Sequence, residues 1–345
     1  MSLKEIDLTY NKNKILKEME TLDFHPFNDR GPDGKGETKI PETSWFYNPN
    51  TWLQAHVKYY ELNKNSEIKK LYYQIKTLLG CQDIRARFYK QKSNTEVPMH
   101  SDNGTKCCVN IILSENYAPI TFEESNDHFY KCAILDTQKR HSVKSHEEER
   151  ILLKFSIFDI DYDTAVKNFN TIRKYLFEIN LDYDKQKLIN EGERIGYNSG
   201  YELLRRKRTA FKTMLEARID NLKFLKKYNE INNVYLQIKD IFKKDIHNII
   251  FYKLPIGSEI GKHTDPFTKE NNVGFAVNIL LTEDEETPLK FIIDDHHYDV
   301  FYNSVLFNAN KVVHYVPTVK KERILIRYFV KNITYEEGVK ICQNF

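Results

Sequence analysis

Apolar positions recur along the chain in two alternating patterns. Over 66–79 and again over 232–244 they return at three- and four-residue steps, which predicts an amphipathic helix in each stretch. After each helix come short runs rich in valine, isoleucine, phenylalanine and tyrosine, separated by charged or turn-forming segments. They occupy 86–90, 107–113, 129–135 and 150–158, then 249–254, 275–281, 290–294, 304–309 and 323–330. Several short strands behind one helix, twice over, predict an α+β chain with a mainly β core of sandwich or barrel type. The stretch 161–230 is rich in Lys, Arg, Glu, Leu and Tyr at helical spacing, interrupted by Gly192, Gly196 and Gly200, and reads as a helical connector. Residues 1–60, with His25-Pro26-Phe27 and the turn-rich 31–34, read as an irregular extension of the first domain. The expected division is therefore 1–160, 161–230 and 231–345.

The two patterned halves are copies of one another. A shift of 163 positions carries Ile68, Tyr72, Gln74 and Ile75 onto Ile231, Tyr235, Gln237 and Ile238, and Phe88-Tyr89-Lys90 onto Phe251-Tyr252-Lys253. The same shift carries His100-Ser101-Asp102 onto His263-Thr264-Asp265. With small insertions in the second copy, 109–113 then matches 277–281, 119–122 matches 288–291, and 149–155 matches 322–328.

The matched residues include a set with metal-binding chemistry. In the second copy His263 and Asp265 are two residues apart, so an extended backbone can point both to one side, and His314 must come from another strand folded beside them. Two imidazoles and one carboxylate leave coordination positions open, and this donor mixture suits non-haem Fe(II). Arg323 follows His314 by nine residues and opens a strand whose alternation places Arg323, Leu325 and Arg327 on one face. A guanidinium there can pair with the far carboxylate of a keto acid that chelates the metal, and Tyr252 can add a hydroxyl. The first copy repeats the set as His100, Asp102, His141 and Arg150, with Arg150 again nine residues after the histidine. Tyr89 and Asn110 match Tyr252 and Asn278 as candidate cosubstrate contacts. Lys154 and Arg327 share the inward face and are the alternative holders of the dicarboxylate.

This pattern resembles the Fe(II)- and 2-oxoglutarate-dependent dioxygenases, particularly the prolyl-hydroxylase-like branch. It rests on Tyr252, Gly257, His263-x-Asp265, His314 and Arg323, and covers about 231–331 and 68–159. The resemblance implies two double-stranded β-helix (jelly-roll, cupin-like) domains. It also implies use of Fe(II), 2-oxoglutarate and O2, with succinate and CO2 as coproducts, and hydroxylation of an amino acid, peptide or protein side chain. Retention of Asp102 and Asp265 argues against halogenation, for which relatives replace that acid with a small residue. The first copy departs from the pattern by placing Gln91-Lys92-Ser93-Asn94 where the second has Leu254-Pro255-Ile256-Gly257, and by a loop five residues shorter after Asp102. One active and one degenerate domain is therefore an open alternative.

Composition narrows the remaining classes. With 41% hydrophobic and 13% aromatic residues in 345, there is material for packed cores, and disordered or fibrous chains are excluded. Lys and Arg number 52 against 49 Asp and Glu, a net +3, so nucleic acid is not a favoured partner. The run Arg205-Arg206-Lys207-Arg208 keeps a nucleic-acid oxygenase open as an alternative, as a vestigial metal site keeps open a non-catalytic binding protein. No stretch is apolar enough to span a membrane, and five cysteines without framework spacing suggest reduced thiols, so a cytoplasmic protein with a small-molecule or peptide substrate is expected.

Overall fold

A computed structural model describes residues 2–26, 52–58, 61–62, 66–102, 104–199, 214–265, 273–282 and 287–343. The chain divides into two compact units, Met1–Phe169 and Asn170–Phe345.

In the first unit a seven-stranded sheet runs, edge to edge, through Leu3–Glu5 (β1), Cys132–Leu135 (β9), Cys107–Ile112 (β6), Arg150–Ile157 (β11), Ile84–Gln91 (β4), Trp52–Val57 (β3) and His25–Pro26 (β2). A four-stranded sheet runs through Val97–His100 (β5), His141–Val143 (β10), Ile120–Phe122 (β7) and Asp127–His128 (β8). The second unit repeats both orders. Its larger sheet runs through Leu176–Glu178 (β12), Ser304–Phe307 (β20), Val273–Leu280 (β17), Arg323–Lys331 (β22), Ile246–Leu254 (β15), Leu215–Ile219 (β14) and Asn198–Ser199 (β13). The smaller runs through Ile260–His263 (β16), Val313–Val316 (β21), Leu289–Ile293 (β18) and His296–Val300 (β19). All pairings are antiparallel, and from β4 to β11 and from β15 to β22 the chain passes back and forth between the two sheets, apart from the β7–β8 and β18–β19 hairpins within the smaller ones, as in a double-stranded β-helix. The chain is a tandem duplication of that fold.

Helices close each unit in the same way. They are Lys12–Met19 (α1), Glu67–Leu79 (α2) and Tyr162–Ile172 (α3), then Lys185–Ile195 (α4), Asn229–Phe242 (α5) and Tyr335–Gln343 (α6). The free N–H groups that begin α2 are met by one carboxylate: Glu18 accepts from the backbone of Glu67 at 2.6 Å and of Ile68 at 3.2 Å. Glu191 on α4 does the same for α5, accepting from Glu230 at 3.0 Å and Ile231 at 2.9 Å. The buried faces of α5, Ile231, Val234, Ile238 and Phe242, pack on Ile249, Phe251, Phe275 and Tyr328 of the larger sheet. Fully buried Phe88, Leu153 and Phe155 occupy the corresponding positions of the first unit's strands.

The structure divides the chain differently from the expected 1–160, 161–230 and 231–345. The connector is not a free helical piece: beyond Phe169 it belongs to the second unit and supplies β12, β13 and β14 to its larger sheet. Nor is the N-terminal extension irregular where it is described, since it supplies β1, α1, β2 and β3 to the first unit. The two stretches are the same module at a shift of 173: Leu3, Glu5, Ile6, Tyr10, Lys12 and Glu18 recur as Leu176, Glu178, Ile179, Tyr183, Lys185 and Glu191. The shift differs from the 163 of the helix and His-x-Asp matches, which hides the module from a search at that offset. The basic run 205–208 lies outside the described residues.

Candidate metal centres

Each smaller sheet brings its two histidines together as cross-strand neighbours. His263 on β16 pairs with His314 on β21, and His100 on β5 with His141 on β10. Their ring centroids are 4.2 Å and 4.5 Å apart. The aspartate lies two residues beyond the strand end, where its backbone N–H is held by a carbonyl of the facing loop: Asp265 by Ala309 at 3.1 Å, Asp102 by Thr137 at 2.9 Å. In each triad one donor atom per residue lies within 4.8 Å of the others. Asp265 Oδ1 is 3.3 Å from His263 Nε2 and 3.8 Å from His314 Nε2, and Asp102 Oδ1 is 3.5 Å from His100 Nε2. Cis ligands on metal bonds of about 2.0–2.2 Å stand about 3 Å apart, so these separations fit one ion.

Which ring nitrogen faces the centre is fixed by the backbone. The Nδ1 of all four histidines lies within hydrogen-bond distance of the carbonyl two residues earlier: 2.8 Å to Gly261 for His263, 3.0 Å to Val312 for His314, 2.8 Å to Pro98 for His100 and 2.9 Å to Lys139 for His141. A carbonyl can only accept, so Nδ1 donates and Nε2 is the ring nitrogen that faces the centre. Burial pushes His314 and His141 down to about 4, which keeps both imidazoles neutral at physiological pH. Burial pushes the Asp265 carboxyl up, but Arg327 and the two histidines outweigh it and hold it below the usual carboxylate range. Lys154, with His100 and His141, does the same for Asp102.

Both triads open into cavities between the sheets, about 160 Å³ in the second unit and about 80 Å³ in the first. The inward stripe of β22 sets Arg327 beside Asn278 and Leu325 beside Tyr252; that of β11 sets Lys154 beside Asn110 and Leu152 beside Tyr89. Arg323 and Arg150 line the deeper walls and are only 1% and 3% exposed. Arg323 donates to the Thr287 carbonyl at 3.1 Å, and Arg150 to the Tyr130 hydroxyl at 3.3 Å. In both, the buried Nε has no hydrogen-bond partner, and neither guanidinium has an ion-pair partner among the described residues.

The structure therefore brings together every candidate ligand and every candidate cosubstrate contact, one set per unit. It also shows what the other inward cations do. Arg327 donates to Asp265 Oδ2 and, at 2.9 Å, to Asn278 Oδ1; Lys154 donates to Asp102 Oδ2. Asn110 is engaged at both ends, donating to the Tyr130 hydroxyl at 3.1 Å and accepting from the Cys108 thiol at 3.3 Å. Burial pushes that thiol up to about 12, in keeping with a core residue rather than a nucleophile. His128 and His297 take part in neither centre, and contact Ser125 and Tyr315 respectively.

Sequence reasoning missed three wall positions. Tyr130 and Tyr302 occupy equivalent places before β9 and β20; Tyr302 lines the second cavity and Tyr130 accepts from Arg150 in the first, although the shared tyrosine precedes runs that match only in apolar character. Trp52 on β3 and Met214 beside β14 close the mouths. Gln54 and Glu216, both paired in register with the site tyrosine, mark the same inward place on those strands. The apparent break in the first copy before the ligands is bridged: Asn94 adopts φ 58° where Gly257 adopts φ 82°, asparagine being one of the few residues that tolerate this region. Each donates the same tether, Asn94 N–H to the His146 carbonyl at 2.6 Å and Gly257 N–H to that of Val319 at 2.9 Å.

No family model and no curated protein matches the chain. Solved structures do. A prolyl-4-hydroxylase from Pseudomonas putida is 17% identical, with 47% of this chain and 96% of that one covered at a TM-score of 0.34. An oxidoreductase of the 2OG-Fe(II) oxygenase family from Burkholderia pseudomallei is 15% identical, with 47% and 87% covered at 0.34. A prolyl hydroxylase from Trichoplax adhaerens, solved with a hypoxia inducible factor peptide fragment, is 11% identical, with 50% and 89% covered at 0.38. At these identities the likeness is one of fold, and the fold assignment rests on the strand order above. No helix among the described residues is long and apolar enough to cross a membrane.

Proposed function

We propose that the chain is an Fe(II)- and 2-oxoglutarate-dependent oxygenase with two centres of one design, hydroxylating an unactivated C–H bond of an amino acid, peptide or protein side chain. The observation that carries this reading is Arg323: a buried guanidinium with no ion-pair partner among the described residues, in the same cavity as two imidazoles and a carboxylate, and repeated as Arg150. A buried charge left unpaired costs several kcal/mol, so such an arginine calls for an anion from outside the chain. A dicarboxylate that chelates the metal through a keto acid end supplies that anion at its other end.

His263, Asp265 and His314 would hold the iron in the second unit, and His100, Asp102 and His141 in the first. Arg323 and Arg150 would hold the distal carboxylate, with Tyr252 and Tyr89 beside it. When bound, iron and 2-oxoglutarate supply the oxidation: the keto acid loses CO2 to become succinate as O2 is consumed and one oxygen atom enters the substrate. The backbone aims Nε2 of each histidine at the centre, and apolar side chains line the approach, Ile260, Leu289, Val316 and Leu325 in the second unit, which limit the access of water. The wider second cavity, with Met214 and Leu325 facing Glu216, suits the mixed aliphatic and charged character of an amino-acid side chain, and we take this unit as the principal centre.

An anaerobic titration with Fe(II) and 2-oxoglutarate, following the visible metal-to-keto-acid charge-transfer band, tests the proposal. Two equivalents are expected in the wild type and one in each of His100→Ala and His263→Ala. One equivalent lost only in His263→Ala would make the first unit a scaffold, and no band in the wild type would overturn the reading.

A further inference from the structure

The inward cation that follows each anion-binding arginine by four residues has the same terminal contact in both units, although its identity changes. Arg327 and Lys154 each end on Oδ2 of the ligand aspartate, while Oδ1 faces the histidine Nε2 atoms. The side chains of Arg327 and Asp265 are 12% and 15% exposed, and those of Lys154 and Asp102 are 14% and 20% exposed. Arg327 is further fixed by Asn278, its register neighbour across β17 and β22.

A buried ion pair seldom raises stability over an apolar pair, so two different cations meeting the same carboxylate oxygen at duplicated positions call for another explanation. With Oδ2 occupied, the aspartate has a single oxygen to offer a metal. Without that contact both oxygens are free to chelate, and a chelating carboxylate fills a coordination position that a bidentate keto acid needs.

Resting on the oxygenase reading above, we infer that Arg327 and Lys154 are positioning residues that hold the ligand aspartate to one-oxygen coordination, keeping metal binding weaker so that cosubstrate binding is possible. Their distance from the reaction is one side chain: they act through Asp265 and Asp102. This role has a signature of opposite signs. Removing the cation relieves repulsion of the metal and leaves a buried carboxylate that only the metal can satisfy, so metal binding tightens while 2-oxoglutarate binding weakens. General loosening of the site weakens both, and direct recognition of 2-oxoglutarate by Arg327 leaves metal binding unchanged.

The test uses the full chain with His100→Ala and His141→Ala, so that the second centre alone is loaded, and Co(II) as the probe. Arg327→Gln is expected to bind Co(II) roughly tenfold tighter than this parent without 2-oxoglutarate, with altered visible bands, and to bind 2-oxoglutarate roughly tenfold more weakly. Arg327→Lys, the arrangement native to the first unit, is expected to return both constants to near the parent values. Should Arg327→Gln fail to fold, Lys154→Gln in a His263→Ala, His314→Ala background makes the same measurement in the other unit. A glutamine variant that binds Co(II) no tighter than its parent overturns the inference. A parent that binds no Co(II) sinks instead the metal-site reading on which it rests.

Discussion

The two units keep the same metal donors and the same buried arginine but differ in the walls around them. In the first, Trp52 packs on Tyr89 with ring centroids 5.3 Å apart and planes tilted by 36°, and the cavity is about half the 160 Å³ of the second, where Met214 stands in the tryptophan's place. Gln54 in the first corresponds to Glu216 in the second, whose carboxyl is pushed up by burial against the pull of Arg218. The buried arginine rests on a tyrosine hydroxyl in one unit and on a backbone carbonyl in the other. What is held fixed is the candidate donor set and its arginine, and what varies is the wall beside them.

Removing the anion-binding charge breaks the comparison most sharply. Arg323→Leu in the full chain is expected to weaken 2-oxoglutarate binding at the second centre by about a thousandfold, on the order of 4 kcal/mol, while the first centre titrates as before. Arg150→Leu should do the converse. If both variants retain two equivalents of the charge-transfer band at unchanged affinity, the buried arginines are structural and the equivalence of the centres is lost.

Acid should affect both units alike. His314 and His141 sit at about 4 in the folded protein against an ordinary 6.5, so between those values the unfolded chain binds more protons than the folded one. Stability is therefore complete above about 6.5 and falls as pH drops towards 4, by about 3 kcal/mol for each histidine. Thermal unfolding of the metal-free protein across this window should show the loss, and replacing either histidine with glutamine should flatten it for that unit. A metal-free transition temperature that holds constant from pH 6.5 to 4 would mean that the histidines are not held neutral by burial.

Much of this was legible in the sequence because chemistry at fixed offsets survives duplication. His263, Asp265, His314 and Arg323, and their four counterparts, were visible as spacings, and the alternation of β22 correctly set Arg327 on their face. What the inward cations bind was not legible: alternation gives a side, and only the fold shows that Arg327 reaches Asp265 before any dicarboxylate. The first 26 residues and 174–199 were misread as extension and connector because β1, β2, β12 and β13 are two or three residues long, too short for a period to show. Their identity lies in tertiary roles, such as Glu18 and Glu191 each meeting the N-terminus of the next helix. The turn at Asn94 was read as a departure from Gly257 because sequence compares side chains, whereas the site depends on a backbone conformation that both residues reach.

The finest distinction is the mouth of each cavity, and there Trp52 and Met214 are interchangeable by hypothesis. Pyridine-2,4-dicarboxylate, a flat and rigid dicarboxylate that chelates metals, is wider than 2-oxoglutarate and should bind the first centre more weakly. In a His263→Ala background, Trp52→Met is expected to strengthen that binding by roughly tenfold, about 1.4 kcal/mol, with little change for 2-oxoglutarate itself. Met214→Trp in a His100→Ala background should impose the opposite change on the second centre. The reciprocal pair matters because a large-to-small change alone can loosen any site. Gain in one unit and loss in the other, through the same pair of residues, would tie the difference in admission to the mouth. If neither exchange moves the affinity, the units differ in what they admit for a reason lying deeper, at Gln54 and Glu216.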